Sequence, residues 1–258
     1  MAVQLRKTIE ENNVIPVAGG LGYAKPTLEI LSCSTCKIVG GCLAQQLTKA
    51  HDHSYQVVKN RKELSKGNHI FRGGDDAEAI YVVSSGSIKS YILMEDGEEQ
   101  VLNFYMPGDV FGLDAMGSEY HVSSTVALEP TRVCKLPLSE LQDRALGRDF
   151  LNTISDKLLR DHNLMLMLAR KDADGRLASF LVDMLNRTEA YNDSTDTIEL
   201  TMTRQDIANH LGLVIETVSR AFRRFQDSGI LEVSRRSVKI YDFDCLLDVA
   251  GTQAVSYT

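Results

Sequence analysis

The rhythm of apolar and polar positions changes three times along the chain, and each change marks a different kind of element. Between Gly67 and Pro137, short β-rich runs at 80–83, 87–93, 100–105, 124–128 and 133–136 are separated by turn residues. The turns include Gly73-Gly74-Asp75, Ser85-Gly86, Asp96-Gly97 and Pro107-Gly108-Asp109. Runs of that length at strand-plus-turn spacing predict an antiparallel sandwich or barrel. The Asp96-Gly97 pair predicts a hairpin closed by a primed turn, in which both residues take positive φ. Residues 43–62 are polar with scattered apolar positions and predict a helix.

Next, Leu151, Ile154, Leu158, Asp161, Met165 and Leu168 recur at alternating intervals of three and four, the seam of a coiled coil. One reading packs this helix on its own domain with Asp161 tilted to water. The other sets the seam against its copy across a two-fold axis, bringing two Asp161 carboxylates together. Their repulsion in a partly desolvated seam would make that homodimer marginal. Residues 171–175 (Lys-Asp-Ala-Asp-Gly) read as a hinge, after which Leu177, Phe180, Leu181, Met184 and Leu185 form a helical core face.

Residues 203–226 carry the strongest local pattern. Thr203-Arg-Gln-Asp206 has the form of a helix N-cap, and Gly212 stands where a tight helix–helix turn requires a left-handed residue. A second helix from Val214 to about Asp227 buries Val218, Ala221, Phe222 and Phe225. Glu216, Ser219, Arg220 and Arg223 fall on its other side. Arginine pairs bidentately with guanine, glutamate accepts from cytosine and serine serves either role, so this face suits base edges in a major groove. Thr203 is a further candidate DNA-binding residue. Strands near 230–233 and 238–241 flank Ser234-Arg-Arg-Ser237, a hairpin that would reach phosphates as a wing.

Charge changes this picture only locally. The net charge of −7 over 258 residues speaks against a chain coated in nucleic acid, but from Glu216 to Lys239 six Lys/Arg face three Asp/Glu. An acidic chain thus carries a basic reading face. No apolar run approaches the ~18 residues of a membrane span, and the N-terminus lacks a secretion signal, so a cytoplasmic protein is expected. Of five cysteines, Cys33, Cys36 and Cys42 cluster while Cys134 and Cys245 stand apart. In a reducing compartment the cluster reads as metal or redox chemistry before disulfides. Cys33 and Cys36 form a C-x-x-C, but no βαβ setting surrounds them, and nothing resembles a flavin or nicotinamide site. A dithiol redox enzyme is therefore the weaker reading, and no catalytic residues are assigned. His51-Asp52-His53 reads as surface.

The order of parts over about 60–245 resembles the CRP-FNR family of bacterial transcription regulators. Ser85-Gly-Ser-Ile-Lys-Ser-Tyr91, Met106-Pro-Gly-Asp109, Leu200-Thr-Met-Thr-Arg204 and Glu216-Thr-Val-Ser-Arg220 resemble its FNR branch. The resemblance implies an α+β chain: a cysteine-bearing arm over 1–45, a cyclic-nucleotide-binding-like antiparallel β-roll (jelly roll) over 46–143, a dimerisation helix over 144–171 and a winged helix-turn-helix over 172–258. It implies a homodimer that activates or represses transcription, with Glu216, Ser219 and Arg220 on an inverted repeat of TTGAT-type half-sites in double-stranded DNA. The hairpin Glu95-Asp96-Gly97-Glu98 becomes a candidate contact with RNA polymerase. The branch carries an oxygen-labile 4Fe–4S cluster, and Cys33, Cys36, Cys42 and Cys134 match its four ligands. Four thiolates also suit zinc, and spacing alone leaves zinc or thiol oxidation open as the sensing chemistry. The implied switch joins the cluster to Asp161: cluster loss in oxygen removes support from the dimer helix, and repulsion splits the dimer. Lys37, Gly41 and a short connection at 144–149 depart from the family pattern. Gly108-Asp-Val-Phe-Gly112 and Tyr120-His-Val-Ser-Ser124 lack the arginine that would pair with a cyclic nucleotide phosphate, so cAMP is not expected.

Overall fold

The computed structural model describes residues 36, 38, 42–44, 60–142, 148–189 and 196–251. The arm over 1–32, Cys33, His51-Asp52-His53 and most of the helix expected over 43–62 lie outside them. Leu43 and Ala44 are helical, but residues 60–62 belong to a strand, which corrects the end of that helix. Pairing with a neighbouring strand decides the conformation of this polar run, as tertiary context commonly overrides propensity.

Eight strands build the roll: β1 (Asn60–Leu64), β2 (His69–Phe71), β3 (Ala79–Ser85), β4 (Ile88–Leu93), β5 (Glu99–Tyr105), β6 (Val110–Phe111), β7 (Ser124–Ala127) and β8 (Thr131–Pro137). They form two antiparallel sheets ordered β1-β8-β3-β6 and β2-β7-β4-β5. Alternation on the first sheet serves two cores. Tyr81, Val83, Phe111 and Val133 point into the roll with Phe71, Ile88 and Tyr105. Ile80, Val82, Cys134 and Leu136 point outward, where Ile38, Cys42, Leu43, Leu141 and Phe150 cover them. A strand buried on both faces reads as a nearly continuous apolar run, which is how β3 appears in the sequence. Aromatic rings fill the interior: Phe71 stacks on His121 with centroids 3.5 Å apart, and Phe111 lies 5.4 Å from both Tyr81 and Tyr105.

The β4–β5 hairpin differs from expectation. Gly97 takes φ 84°, whereas Asp96 stays out of the left-handed region. The Gly97 N–H donates to the Met94 carbonyl at 3.0 Å and the Met94 N–H to the Glu98 carbonyl at 2.8 Å. This is a three-residue loop with a glycine bulge, not a primed two-residue turn; the extra residue lets only the glycine adopt positive φ.

Helices α1 (Leu138–Gln142), α2 (Arg148–Arg170), α3 (Ala173–Glu189), α4 (Arg204–Leu211), α5 (Ile215–Asp227) and α6 (Phe243–Ala250) follow. Strands β9 (Thr197–Glu199), β10 (Leu231–Ser234) and β11 (Ser237–Ile240) form a sheet ordered β10-β11-β9. The hinge expected over 171–175 contracts to Lys171 and Asp172, because α3 already begins at Ala173. Asp172 accepts the Gly175 N–H at 2.8 Å, and Arg176 donates to the carbonyls of Leu168, Lys171 and Leu211 at 2.8, 3.0 and 2.9 Å. One guanidinium thus binds the ends of α2 and α4 to the link between α2 and α3, so the link is pinned. Leu177, Phe180, Leu181, Met184 and Leu185 are buried in the C-terminal core. Among the described residues no helix is long and apolar enough to cross a membrane.

Candidate functional site

The helix-turn-helix begins with a complete capping box. The Thr203 hydroxyl accepts the Asp206 N–H at 3.1 Å, and the Asp206 carboxylate accepts the Thr203 N–H at 2.9 Å. Both satisfy backbone donors that a helix start leaves open. Gly212, at φ 61°, ends α4, and α5 departs from Val214. Val218, Ala221, Phe222 and Phe225 are buried, while Glu216, Ser219, Arg220 and Arg223 lie exposed along one opposite face. Thr203 is also exposed, but its hydroxyl is committed to the cap and donates to Asp206 at 2.6 Å. Arg204 was not singled out from the sequence. Its guanidinium stacks on the Phe222 ring at 3.3 Å from the centroid and so locks α4 to α5; burial pulls it down to about 10.

The β10–β11 hairpin carries Arg235 and Arg236 at its exposed tip. Arg235, at φ 56°, is the one non-glycine with positive φ among the described residues. A strained non-glycine persists where surrounding contacts impose it. Here the Leu200 N–H donates to the Arg236 carbonyl at 2.8 Å and ties the tip to the start of the domain. Arg224 is withdrawn from the basic face, since its Nε donates to Asp174 on α3 at 2.9 Å, and Lys239 approaches Asp196 at 3.6 Å. No ion pair among the described residues engages Arg220, Arg223, Arg235 or Arg236. These four present their charge to solvent.

The structure also shows a join that the sequence did not announce. Lys89 on β4 donates to Asp206 at 2.7 Å and pairs with Glu99 on β5. Gln100 donates to the Asn209 carbonyl at 2.7 Å, and Asn209 donates to the Glu99 carbonyl at 2.9 Å. Arg187 on α3 donates to the Phe104 carbonyl at 2.7 Å and pairs with Asp109. His210 sits edge-on between Phe104 and Phe180, at 5.2 and 5.9 Å.

On the outer face of the first sheet, Cys36, Cys42 and Cys134 belong to one apolar cluster with Ile38, Leu43, Leu136, Leu141 and Phe150. Cys42 and Cys134 are buried and Cys36 is half-buried. Cys134 stands on β8 between Val82 of β3 and Arg61 of β1. Among the described residues no group of three ligating side chains is gathered closely enough to hold a metal ion. Cys245 lies on α6, half-buried against the C-terminal core and in a different cluster.

Along α2, Leu151, Ile154, Leu158 and Met165 are exposed, and so are Leu159 and Leu166, which the heptad reading did not include. Leu168 packs against the C-terminal core of its own chain. Asp161 is half-buried and pairs with Lys157 one turn earlier. Glu95, Asp96, Gly97 and Glu98 form the exposed tip of the β4–β5 hairpin.

A β-roll, a long helix with an apolar outer face and a winged helix-turn-helix with an unpaired basic face together define a DNA-binding transcription regulator. Residues 61–145 match the Cyclic nucleotide-binding domain family, and residues 175–249 match the Crp-like helix-turn-helix domain family. The chain belongs to the CRP-FNR family of transcription regulators and is not an enzyme. It is 36% identical over 227 residues to the Fumarate and nitrate reduction regulatory protein of Escherichia coli (strain K12), covering 86% of this chain and 91% of that one. The corresponding Klebsiella oxytoca protein is 35% identical with the same coverage. Among solved structures, FixK2 from Bradyrhizobium japonicum superposes with TM-score 0.69 at 31% identity, covering 76% of this chain and 98% of that one.

Proposed function

We propose that this regulator is a cytoplasmic homodimer that responds to oxygen through a 4Fe–4S cluster held by Cys33, Cys36, Cys42 and Cys134. The observation that carries the proposal is the shared apolar cluster of Cys36, Cys42, Cys134 and Phe150. The chemistry of the donors supports it: Cys36, Cys42 and Cys134 share one apolar cluster without being drawn together around a metal ion, and Cys33 precedes Cys36 in a C-x-x-C. When bound, such a cluster supplies an oxygen-reactive centre whose ligands are thiolates. Relatives bearing the name Fumarate and nitrate reduction regulatory protein support carrying that regulatory role over to this chain.

The chain's own residues convert loading of the site into dimerisation. Cys36, Ile38, Cys42 and Leu43 pack in one cluster with Cys134 and with Phe150, which lies buried in the first turn of α2. Leu151, the next residue, opens the exposed apolar face. Release of the cysteine segment uncovers Phe150 and loosens the helix where that face begins. Asp161 at its margin keeps the dimer weak, so a coupling of about 1–3 kcal/mol moves it roughly five- to hundred-fold. Both half-sites must be held together for tight binding, and the monomer therefore releases DNA. Glu216, Ser219, Arg220 and Arg223 read base edges of TTGAT-type half-sites, Thr203 orients the first helix beside them, and the Glu95–Glu98 tip meets RNA polymerase.

The test is an anaerobic absorption spectrum with iron and sulfide analysis, repeated in air alongside sedimentation. About four iron and four sulfide per chain, lost in air together with the dimer, are expected. A colourless anaerobic protein holding zinc or no metal would remove the cluster and leave the DNA-binding regulator standing.

A further inference from the structure

In the β1–β8 register Arg61 stands directly opposite Cys134. Opposed residues of an antiparallel pair project from the same face with Cβ atoms about 4.5–5.5 Å apart. Arg61 therefore shares the outer face whose apolar cluster includes the three described thiols. Its Nε and Nη2 are buried and have no hydrogen-bond partner among the described residues. Basic neighbours on β8 behave differently: Arg132 donates to Glu63 at 2.8 Å, and Lys135 approaches Glu78 at 3.6 Å. Buried donors left unmade are costly, and more so when they belong to a charged group. Its retention beside a set of thiols points to an anionic acceptor that belongs there.

We infer that Arg61 is a positioning residue for the thiolate site, with its Nε–H and Nη2–H donating to the anionic sulfur set anchored by Cys134. This rests on the proposal that the cysteines hold an iron–sulfur cluster. Net charge and hydrogen bonds to sulfur set the reduction potential of such centres. Arginine supplies both, through a permanent positive charge and a rigid fork of donors. It stabilises the more negatively charged, reduced state, so its removal lowers the potential. It also destabilises the protein without the cluster, because its donors then lack an acceptor.

The experiment uses the full chain as wild type, Arg61→Met and Arg61→Lys, each reconstituted anaerobically with ferrous iron and sulfide. Iron per chain, midpoint potential and thermal unfolding of the metal-free protein are measured. Metal-free Arg61→Met is expected to unfold no earlier than wild type. Its loaded form is expected to shift the oxidised-to-reduced ratio at a fixed potential about tenfold (about 59 mV for one electron) or to retain less iron. Arg61→Lys, which keeps the charge and loses the fork, falls between them. A structural arginine would give the opposite pattern, with earlier unfolding of metal-free Arg61→Met and an unchanged loaded form, and that result would overturn the inference. Unchanged behaviour in all three measurements would do the same. A wild type that takes up no iron and sulfide would overturn the cluster reading itself, and the inference with it.

Discussion

Lys89 on strand β4 of the roll and Asp206 in the first turn of α4 hold each other at 2.7 Å, with only 11% of either side chain exposed. Asp206 is also half of the capping box that starts the helix-turn-helix. One carboxylate therefore terminates a helix of the helix-turn-helix and fastens that unit to the β-roll. A buried pair of this kind confers little net stability over an apolar substitute, but losing one partner leaves the other charged and stranded. Its value lies in fixing how α4 sits on β4 and β5, a role shared by Gln100, Asn209 and Arg187.

Replacing the cation exposes that dependence. Lys89→Met is expected to cost about 2–4 kcal/mol and to lower the unfolding midpoint by roughly 5–15 °C. Burial pushes Asp206 up, but hydrogen bonds from Lys89 and Thr203 outweigh it and hold the carboxyl below its ordinary value. Burial pulls Lys89 down, and its bonds to Asp206 and Glu99 more than restore it, leaving it raised. Stability from the lowered acid is present above its ordinary value and vanishes as pH falls through the depressed one. Stability from the raised base is lost only as pH climbs above its ordinary value. The advantage of wild type over Lys89→Met should thus be full at neutral pH and fade in acid. A flat difference down to pH 2 in calorimetry would contradict the assignment.

His210 makes the same join sensitive to a milder range. Burial drops it to about 4, against partial support from the Val101 backbone and Asp183. A base with a lowered folded value resists protonation, so stability is complete above pH 6.5 and falls as pH descends from there to about 4. The loss across that window should be about 3 kcal/mol. In His210→Leu most of that slope should disappear while the Lys89–Asp206 contribution below pH 4 remains. Denaturant titrations at pH 7, 5.5 and 4.5 separate the two. Parallel pH profiles for wild type and variant would refute the role of His210.

The DNA interface yields a pair of contrasting expectations. Arg220→Ala should cost about 1–3 kcal/mol on a TTGAT-type inverted repeat and relax discrimination at one base position. Arg236→Gln in the wing should weaken all sequences alike and reduce the salt slope of binding by about one. Arg236 serves better than Arg235 here, because a substitution at Arg235 would also test how the new residue tolerates its positive φ and mix two effects. Fluorescence anisotropy at several salt concentrations reports both. Uniform weakening from Arg220→Ala would place that residue on phosphate instead of a base.

How much of this was legible depended on whether the information was local. The capping box at Thr203 and Asp206, the left-handed Gly212 and the buried stripe of α5 each depend on residues within a few positions of one another, and all three read directly from the chain. Strands β3, β4, β5, β7 and β8 read for the same reason, whereas the short β2 and β6 did not, and β1 read as the end of a helix. The Lys89–Asp206 pair spans 117 positions, and nothing near Lys89 marks it as other than a solvated lysine. The hinge over 171–175 misled because Asp and Gly, usually loop residues, here cap and begin α3. Heptad counting placed Leu168 in the outer seam and omitted Leu159 and Leu166. A straight helix drifts relative to a strict 3.5-residue repeat, and its exposed stripe wanders off the counted positions.

That drift moves Asp161 off the centre of the exposed face. Leu151, Leu158 and Met165 lie along the middle of the exposed face of α2, and Asp161 lies toward its edge beside Lys157. In the proposed dimer, an edge carboxylate with a nearby lysine would repel its copy less than a central one, tuning association without forbidding it. Asp161→Ala is expected to raise the dimer fraction in air by about five- to tenfold in association constant, a coupling of roughly 1 kcal/mol. Leu158→Glu buries a charge in each copy at the centre of the face and forfeits about 1.5–3 kcal/mol of apolar burial per chain, so it should abolish dimerisation even without oxygen. Sedimentation velocity with and without air, read beside operator binding, measures both. If Leu158→Glu still dimerised, the exposed face of α2 would not be the interface; if Asp161→Ala left aerobic dimerisation unchanged, the carboxylate would not be what keeps the dimer weak.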